Sequence, residues 1–307
     1  MDKRNAYILF LNLLKIGFTA IGSMVIIAGA VIWVLWIASF FTDVSQYDSQ
    51  RVFKPLAIGA FVLAGVVLIT GSRFGEWFYR LFFNMRKPTL REEERINPLI
   101  DKIEQDYYSK HGEKLNIKYF IVDAAFLNGF AFGFSTIAIH RGALEELNDE
   151  ELQALLAHEV GHIHFKDGAY NSIQFSLGAI GFSILKYPMS ITGATIGAAA
   201  DTPKEDSGGS LVVVGLILVL FAPITLAAII AMPLMWLSQK FSNMGLWHTE
   251  YRADQFAANM GYHDGLISLF EKILPLDERN THGFLSRYGF SHPPTAVRID
   301  KLERALG

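Results

Sequence analysis

A stretch of 27 uncharged residues, Ile16 to Thr42, constrains this 307-residue chain more than any other feature. As a helix it measures about 40 Å, longer than the roughly 30 Å of a bilayer's hydrocarbon core. It is too long for the core of a signal peptide and ends in no convincing cleavage site, so it reads as a retained membrane span. Three further apolar runs follow. Pro55–Ser72, with 18 residues, sits at the lower length limit for a crossing. Ala169–Ala200 is weaker, being rich in Gly, Ser and Thr and carrying Lys186. Its Gly193–Gly197 pair has the spacing that lets two helices approach closely. Gly208–Gln239 is strongly apolar and holds Pro223 and Pro233, which predict kinks. Composition agrees: 51% of residues are hydrophobic and only 19% charged, more apolar than an ordinary soluble enzyme.

Lys and Arg flank these runs unevenly. Lys3, Arg4 and Lys15 precede the first, and Arg73, Arg80, Arg86, Lys87 and Arg91 follow the second. Between those two runs Arg51 and Lys54 are offset by Asp43 and Asp48, and Lys204 sits among Asp201, Glu205 and Asp206. The positive-inside rule then places both termini and the segments 73–168 and 240–307 in the cytoplasm. The chain divides into a transmembrane hairpin (1–72), a polar segment (73–168), a second hairpin (169–239) and a second polar segment (240–307). A net charge of −3 without a basic block gives no case for nucleic acid, and the absence of any Gly-Lys pair removes the usual nucleotide loop. The chain has no cysteine, so a metal would have to be held by His, Asp or Glu.

The first polar segment reads as a charged helix (Arg91–Lys110), a strand (Ile117–Val122) and two short, tightly joined strands, Asn128–Gly133 and Ser135–Gly142. Asn148 with Glu151 three residues on predicts a capped helix over Asp149–Phe165, its apolar face made by Leu152, Leu155, Leu156 and Val160. Late on that helix comes His158-Glu-Val-Gly-His162. Residues four apart lie about 40° from each other around a helix, so both imidazoles can reach one ion at about 2.0–2.1 Å. Glu159 points about 100° away, off the metal but near enough to hold a water as general base. A third ligand is best sought in "LWHTEYRADQFAANMG", where Glu250 and Asp254 share a helix face and Gly261 marks a stop. Glu250 would bind the ion and Asp254 would accept from a ligand histidine's other nitrogen. On spacing alone, two surface histidines and an exposed acidic pair remain an open alternative.

Four pieces in order, "NGFAFG" at Asn128–Gly133, "HEVGH" at His158–His162, "EYRAD" at Glu250–Asp254 and "FSHPPTAVRI" at Phe290–Ile299, resemble the HtpX-type membrane zinc metalloproteases. That group shares a family with the CAAX prenyl endopeptidases, and the likeness covers nearly the whole chain. It implies that one Zn²⁺ is bound by His158, His162 and Glu250, that Glu159 is the base, and that His292 meets the oxyanion. Pro293 and Pro294 would give His292 a stiff mount. It further implies cleavage of membrane-associated or misfolded protein and peptide substrates on the cytoplasmic side, in membrane protein quality control and stress response. Gly129 departs from the pattern, where alanine is commoner.

The expected architecture is a mainly α membrane protein with a small β-sheet. It has four transmembrane helices and a cytoplasmic zincin-like metalloprotease domain split by the second hairpin. The chain would lie in the cell inner or plasma membrane, with the lipid bilayer as a partner and neither nucleic acid nor nucleotide bound. Asn128, Gly129 and Phe130 belong either to an edge strand that pairs an extended substrate or to a plain hairpin. Arg298 either braces an acidic neighbour or lies on the surface. Asp167 caps or hydrogen-bonds near the site. His164 falls on the opposite helix face, and His248, His263 and His282 carry no pattern.

If His162 and Glu250 share one ion, an even number of membrane crossings separates them. With Leu211–Gln239 spanning, the weak third run must then span as well, despite Lys186. Neutral histidine ligands also mean that activity should fall below about pH 6. Two rivals stand beside this reading. An intramembrane-cutting protease would bury its motif in a span, whereas Asp149, Glu150, Glu151, Lys166 and Asp167 flank this one. A non-catalytic, four-helix metal-binding or transporter-like protein would place ionisable groups mid-span, and only Lys186 qualifies.

Overall fold

The computed structural model describes residues 3–38, 50–70, 72–201, 207–280 and 293–304. The expectations for His292 and His282, and for the loop charges Asp43, Asp48, Lys204, Glu205 and Asp206, fall outside the described residues. Two compact units are each assembled from distant segments: residues 1–12, 69–172 and 242–307 form one, and 13–68 and 173–241 the other.

The first unit combines helices with one small sheet. Helix α3 (Arg73–Phe82) leads into β1 (Met85–Arg86) and α4 (Leu90–His111). Thr89 and Glu92 cap α4 reciprocally, and Gly112, at φ +70°, ends it in the left-handed region that glycine enters without strain. Strands β2 (Lys118–Val122), β3 (Gly129–Phe132) and β4 (Thr136–His140) complete a sheet of order β1-β2-β4-β3. The expected tight hairpin is β3–β4, antiparallel, with Gly129 opposite Ile139. The sequence reading did not include the parallel pairing of β2 with β4 or the two-residue β1 that pairs with β2. β3 lies at the sheet's edge.

Helix α5 (Arg141–Glu146) precedes α6 (Asp149–His164). Asn148 accepts from the Glu151 amide at 2.9 Å and Glu151 accepts from the Asn148 amide at 2.9 Å. Glu151 is buried, and burial alone would raise its pKa. The Lys272 ammonium at 2.5 Å, the Asn148 amide and the Ser268 hydroxyl outweigh that and hold it below the ordinary value. Beyond α6, this unit takes the C-terminal part of α9 (Ala222–Ala257), a π turn (Ala258–Tyr262), α10 (His263–Asn280) and α11 (Thr295–Arg304). Gly261, at φ +102°, breaks the helical path where a stop was expected. Ile96, Ile103, Ile121, Ile137, Ile139, Leu152, Leu156, Leu266 and Leu269 form the core between sheet and helices. Gly265 lets α10 come up against the α6 backbone: a Cβ there would sit 2.7 Å from the Glu150 carbonyl oxygen.

The second unit is helical, built on α1 (Lys3–Ala38), α2 (Gln50–Thr70), α7 (Asp167–Ala200), α8 (Ser207–Leu220) and the first part of α9. Ile27, Leu63 and Leu177 are its buried centre. Polar pins hold the helices together: Thr19 Oγ1 and Ser238 Oγ lie 2.6 Å apart, and Ser23 Oγ donates to the Leu177 carbonyl at 2.7 Å. The close helix approach is at Gly29, where a Cβ would fall 2.3 Å from Ala227 Cβ. Among the described residues, nothing lies within 4 Å of a Cβ at Gly193 or Gly197. The last apolar run is not one helix. It breaks at Phe221, two residues before Pro223, whose ring nitrogen has no hydrogen to bond the preceding turn.

By length and composition, two helical stretches among the described residues suffice to cross a membrane, Lys3–Ile37 and Ala222–Leu274. A third is added if Ala57–Thr70 and Gly75–Phe82 count as one broken span. α7 is long enough at 34 residues, but its Gly, Ser and Thr content keeps it below that hydropathy.

Candidate metal centre

The histidine-bearing helix and the glutamate-bearing helix meet because Gly161 lies between the two histidines. A Cβ at Gly161 would stand 3.0 Å from Ala253 Cα and 3.2 Å from Ala253 Cβ, so α6 and α9 touch with almost no side chain between them. Ala253 sits three residues after Glu250, and the contact therefore brings one turn of each helix together.

Three ligand-type atoms converge there. His158 Nε2 and His162 Nε2 are 3.2 Å apart, and the Glu250 carboxylate oxygens lie 3.6 Å from the first and 3.4 Å from the second. His158, His162 and Glu250 are the one group among the described residues whose ligand atoms all fall within 4.8 Å of one another. A tetrahedral ion with ligands at about 2.0–2.1 Å has ligand-to-ligand edges of about 3.3–3.4 Å, close to these separations.

Each histidine is backed by an aspartate, and each aspartate by an arginine. His158 Nδ1 is 2.9 Å from Asp254 Oδ1, at bonding distance but off-axis, so this buried nitrogen has no aligned partner. His162 Nδ1 is 3.3 Å from Asp167 Oδ2. Arg298 grips Asp254 with two bonds of 2.8 and 2.5 Å, reaches within 3.4 Å of Glu250 and stacks 4.2 Å over Phe270. Arg252 donates to both Asp167 oxygens at 2.8 and 3.0 Å, donates to Asn5 and lies 3.9 Å over the Phe165 ring.

The electrostatics of this cluster call for a cation. Glu159, Glu250, Asp254 and Asp167 are all buried, and so are Arg252 and Arg298. Four carboxylates against two guanidiniums leave two negative charges, the charge a divalent ion would balance. Burial alone pulls the His162 imidazole's pKa down, but Asp167 and Glu250 outweigh it and hold the ring well above the ordinary histidine value. Asp254 and Glu250 raise His158 against the same burial. Donor types, spacing and charge all fit zinc.

Glu159 is buried on the side of α6 that faces the sheet edge. A Cβ on Gly129 would sit 3.6 Å from Glu159 Cγ, 3.7 Å from Leu155 Cδ2 and 3.4 Å from the Ala138 carbonyl oxygen, all ordinary contacts. Alanine would therefore fit at this position, and glycine is a small departure. The Asn128 carbonyl accepts from the His140 amide at 3.0 Å, and Phe130 packs edge-on against Phe83 at 5.7 Å. Gly129 and Phe130 thus lie on the edge strand beside the Glu159 helix, and Asn128 immediately precedes it.

Among residues given little or no weight from sequence, Asp167, Arg252 and Arg298 are part of the site. His164 is not: its Nδ1 meets the Tyr107 hydroxyl at 2.8 Å. His248 and His263 also lie apart from the three-ligand group, and the role expected of His292 falls outside the described residues. Arg298 carried a readable signal. Thr295, Arg298 and Leu302 are the buried positions of α11, so its arginine occupies the apolar stripe where a surface residue would not.

The peptidase family M48 model matches residues 93–306, well over half of the chain. The chain belongs to peptidase family M48. Among M48 relatives, Protease HtpX of Pseudomonas fluorescens is 26% identical over 195 residues, covering 59% of this chain and 61% of its own. Protease HtpX of Aliivibrio salmonicida is 26% identical over 200 residues, covering 60% and 65%. The chain thus matches a little under two thirds of the length of these curated relatives. The crystal structure of S. mikatae Ste24p aligns with a TM-score of 0.47 at 18% identity, covering 90% of this chain and 62% of that one.

Proposed function

We propose that this M48 chain is a membrane-bound, zinc-dependent endopeptidase that cleaves membrane-associated or misfolded proteins at the cytoplasmic face, in membrane protein quality control. The observation that carries the reading is the convergence of His158, His162 and Glu250, each histidine backed by a carboxylate, beside an edge strand. The name shared by the relatives, Protease HtpX, supports the same class.

His158, His162 and Glu250 would hold one zinc ion, leaving a fourth position open. Zinc, when bound, supplies a Lewis acid that polarises a peptide carbonyl and brings the pKa of water toward about 7. Asp254 and Asp167 fix the ring orientation of the two histidines, and Arg298 and Arg252 fix the aspartates. The outer edge of β3 pairs with an extended substrate backbone, which tolerates many side chains. Glu159, between that edge and the ligands, takes a proton from the attacking water and returns it to the leaving amine. His292 steadies the oxyanion.

Glu250 and His162 belong to one site, so an even number of crossings separates them. α9 is apolar enough to cross, and α7, at about 51 Å, is long enough to be its return partner. With α1 and α2 this makes four spans, both termini and the site being cytoplasmic.

Substituting Glu159→Gln in the detergent-purified protein separates an enzyme from a metal-binding regulator. Cleavage of an unfolded protein substrate should fall at least about a hundredfold while bound zinc stays unchanged. Cleavage at the parent rate, or no chelator-sensitive cleavage by the parent, would overturn the reading.

A further inference from the structure

A cavity of about 230 Å³ in the first unit reaches the Asp254 and Arg298 side chains that back the metal centre. Buried Asp254 and Arg298 line it together with the exposed Lys301 and the partly exposed Arg4, Tyr251 and His263. Segments far apart in the chain meet there: Arg4 comes from the start of α1, Tyr251 and Asp254 from α9, and Lys301 from α11. The start of α1 is held in place by its neighbours. Arg252 donates to Asn5 at 2.7 Å, and Tyr7 packs edge-on against His248 with ring centroids 5.9 Å apart.

The charges lining this cavity do not balance. Arg298 and Asp254 neutralise each other through bonds of 2.8 and 2.5 Å, which leaves Arg4 and Lys301. Among the described residues, Arg4 donates to the His248 carbonyl at a long 3.4 Å, the Lys301 ammonium lies 3.1 Å over the Tyr251 ring, and neither is in an ion pair. Burial and then the Arg4 charge push the Lys301 ammonium below the ordinary lysine value, against the pull of Asp254. Two like charges at one cavity repel, and an anion between them turns that cost into attraction. His263 adds a further polar group. Its Nδ1 lies 3.0 Å from Asp264 Oδ1, and its buried Nε2 has no hydrogen-bond partner among the described residues. An acceptor oxygen beside Nε2 would let a protonated imidazole donate from both nitrogens.

We propose that this cavity binds a phosphate group, held by Arg4 and Lys301 and bridging the start of α1 to α9 and α11. A phosphate carries up to two negative charges, matching the two uncompensated cations, and its several acceptor oxygens can serve donors on different sides. The Arg4 fork suits two of those oxygens, and Lys301 acts as a point charge. Bound there, the anion braces the wall formed by Arg298 and Asp254, the pair behind His158. The site stands whether or not the chain is a peptidase. Its phosphate can be a free ion or the headgroup of an anionic lipid.

The test uses the full-length, chelator-stripped protein in phosphatidylcholine nanodiscs, with the unfolding midpoint read in sodium phosphate and in sodium chloride of equal ionic strength. Millimolar phosphate should raise the parent midpoint by about 2–4 °C over chloride, and Arg4→Gln with Lys301→Gln should abolish the rise. Should the double variant fail to fold, Lys301→Gln alone, a change at an exposed position, should at least halve the rise. Nanodiscs containing phosphatidylglycerol separate the two sources. If they raise the parent midpoint but not the variant's, and free phosphate then adds nothing, the ligand is a lipid headgroup; if free phosphate acts equally in both lipids, it is the soluble ion. No rise with either source overturns the proposal, and so does an equal rise in parent and variant, which is a general salt effect.

Discussion

Deleting the Arg298 side chain would strand Asp254 in the interior without its two bonds, next to Glu250. Breaking a buried pair from one side costs roughly 3–5 kcal/mol, so Arg298→Ala should lower unfolding stability in chelator-stripped protein by that amount. Arg298→Lys should recover only part of it, since an ammonium cannot form the same fork. An unchanged denaturation midpoint for Arg298→Ala would count against the brace. Asp254→Asn and Asp167→Asn act one step closer to the ligands. Each should weaken zinc binding by about 10–100-fold in chelator competition, and equal affinity to the parent would remove the aspartates from the account. At this scale the sequence was most legible where chemistry restricts choice. Without cysteine, the paired histidines were the readable donors, and Glu250 was singled out by its helix face shared with Asp254 together with the family resemblance. Asp167 and Arg252 were harder to read, because one acid after a helix and one base inside a charged motif look like surface until the packing is known.

At the level of elements, the crossing of α6 and α9 depends on a residue with no side chain. Gly161→Val would put a branched side chain where even a Cβ would stand only 3.0 Å from Ala253 Cα, so the helices would be forced apart and Glu250 would withdraw from the histidines. The variant should therefore lose zinc affinity while its helix content, by circular dichroism, stays the same; parent-level affinity would refute the contact's role. The start of α4 gives a pH test away from the metal. Bonds from Arg86 outweigh burial, and with the Thr89 amide they pull the Glu92 carboxyl down to about 2. Its folded value lies below the ordinary 4.5, so this pair stabilises the fold fully above about pH 4.5 and loses that contribution as pH falls toward 2. Glu92→Gln should narrow the drop in unfolding midpoint between pH 5 and pH 2.5, and an unaltered drop would show the pair to be idle. Helix α6 and the β3–β4 hairpin were readable from a capping box and alternating apolar residues. The parallel β2–β4 pairing was not, because local pattern does not say which strand a hairpin joins. Nor was the break at Phe221, where hydropathy runs on unbroken.

For the whole molecule, the ligands are far apart in sequence because the second unit interrupts the first, and residues 173–241 separate the helix that carries the histidines from the turn that carries Glu250. Hydropathy alone left the weak run over α7 undecided, and its polar content still does; under the proposed reading, one ion held by His162 and Glu250 requires it to return. Everything proposed about catalysis, sidedness and substrate follows from that one ion. The most direct test is the zinc content of detergent-purified protein after zinc saturation and gel filtration, compared among the parent, Glu159→Gln and Glu250→Ala. About one zinc per chain in the first two and well under about a fifth in the third is the expected result. A full equivalent of zinc retained by Glu250→Ala would contradict it.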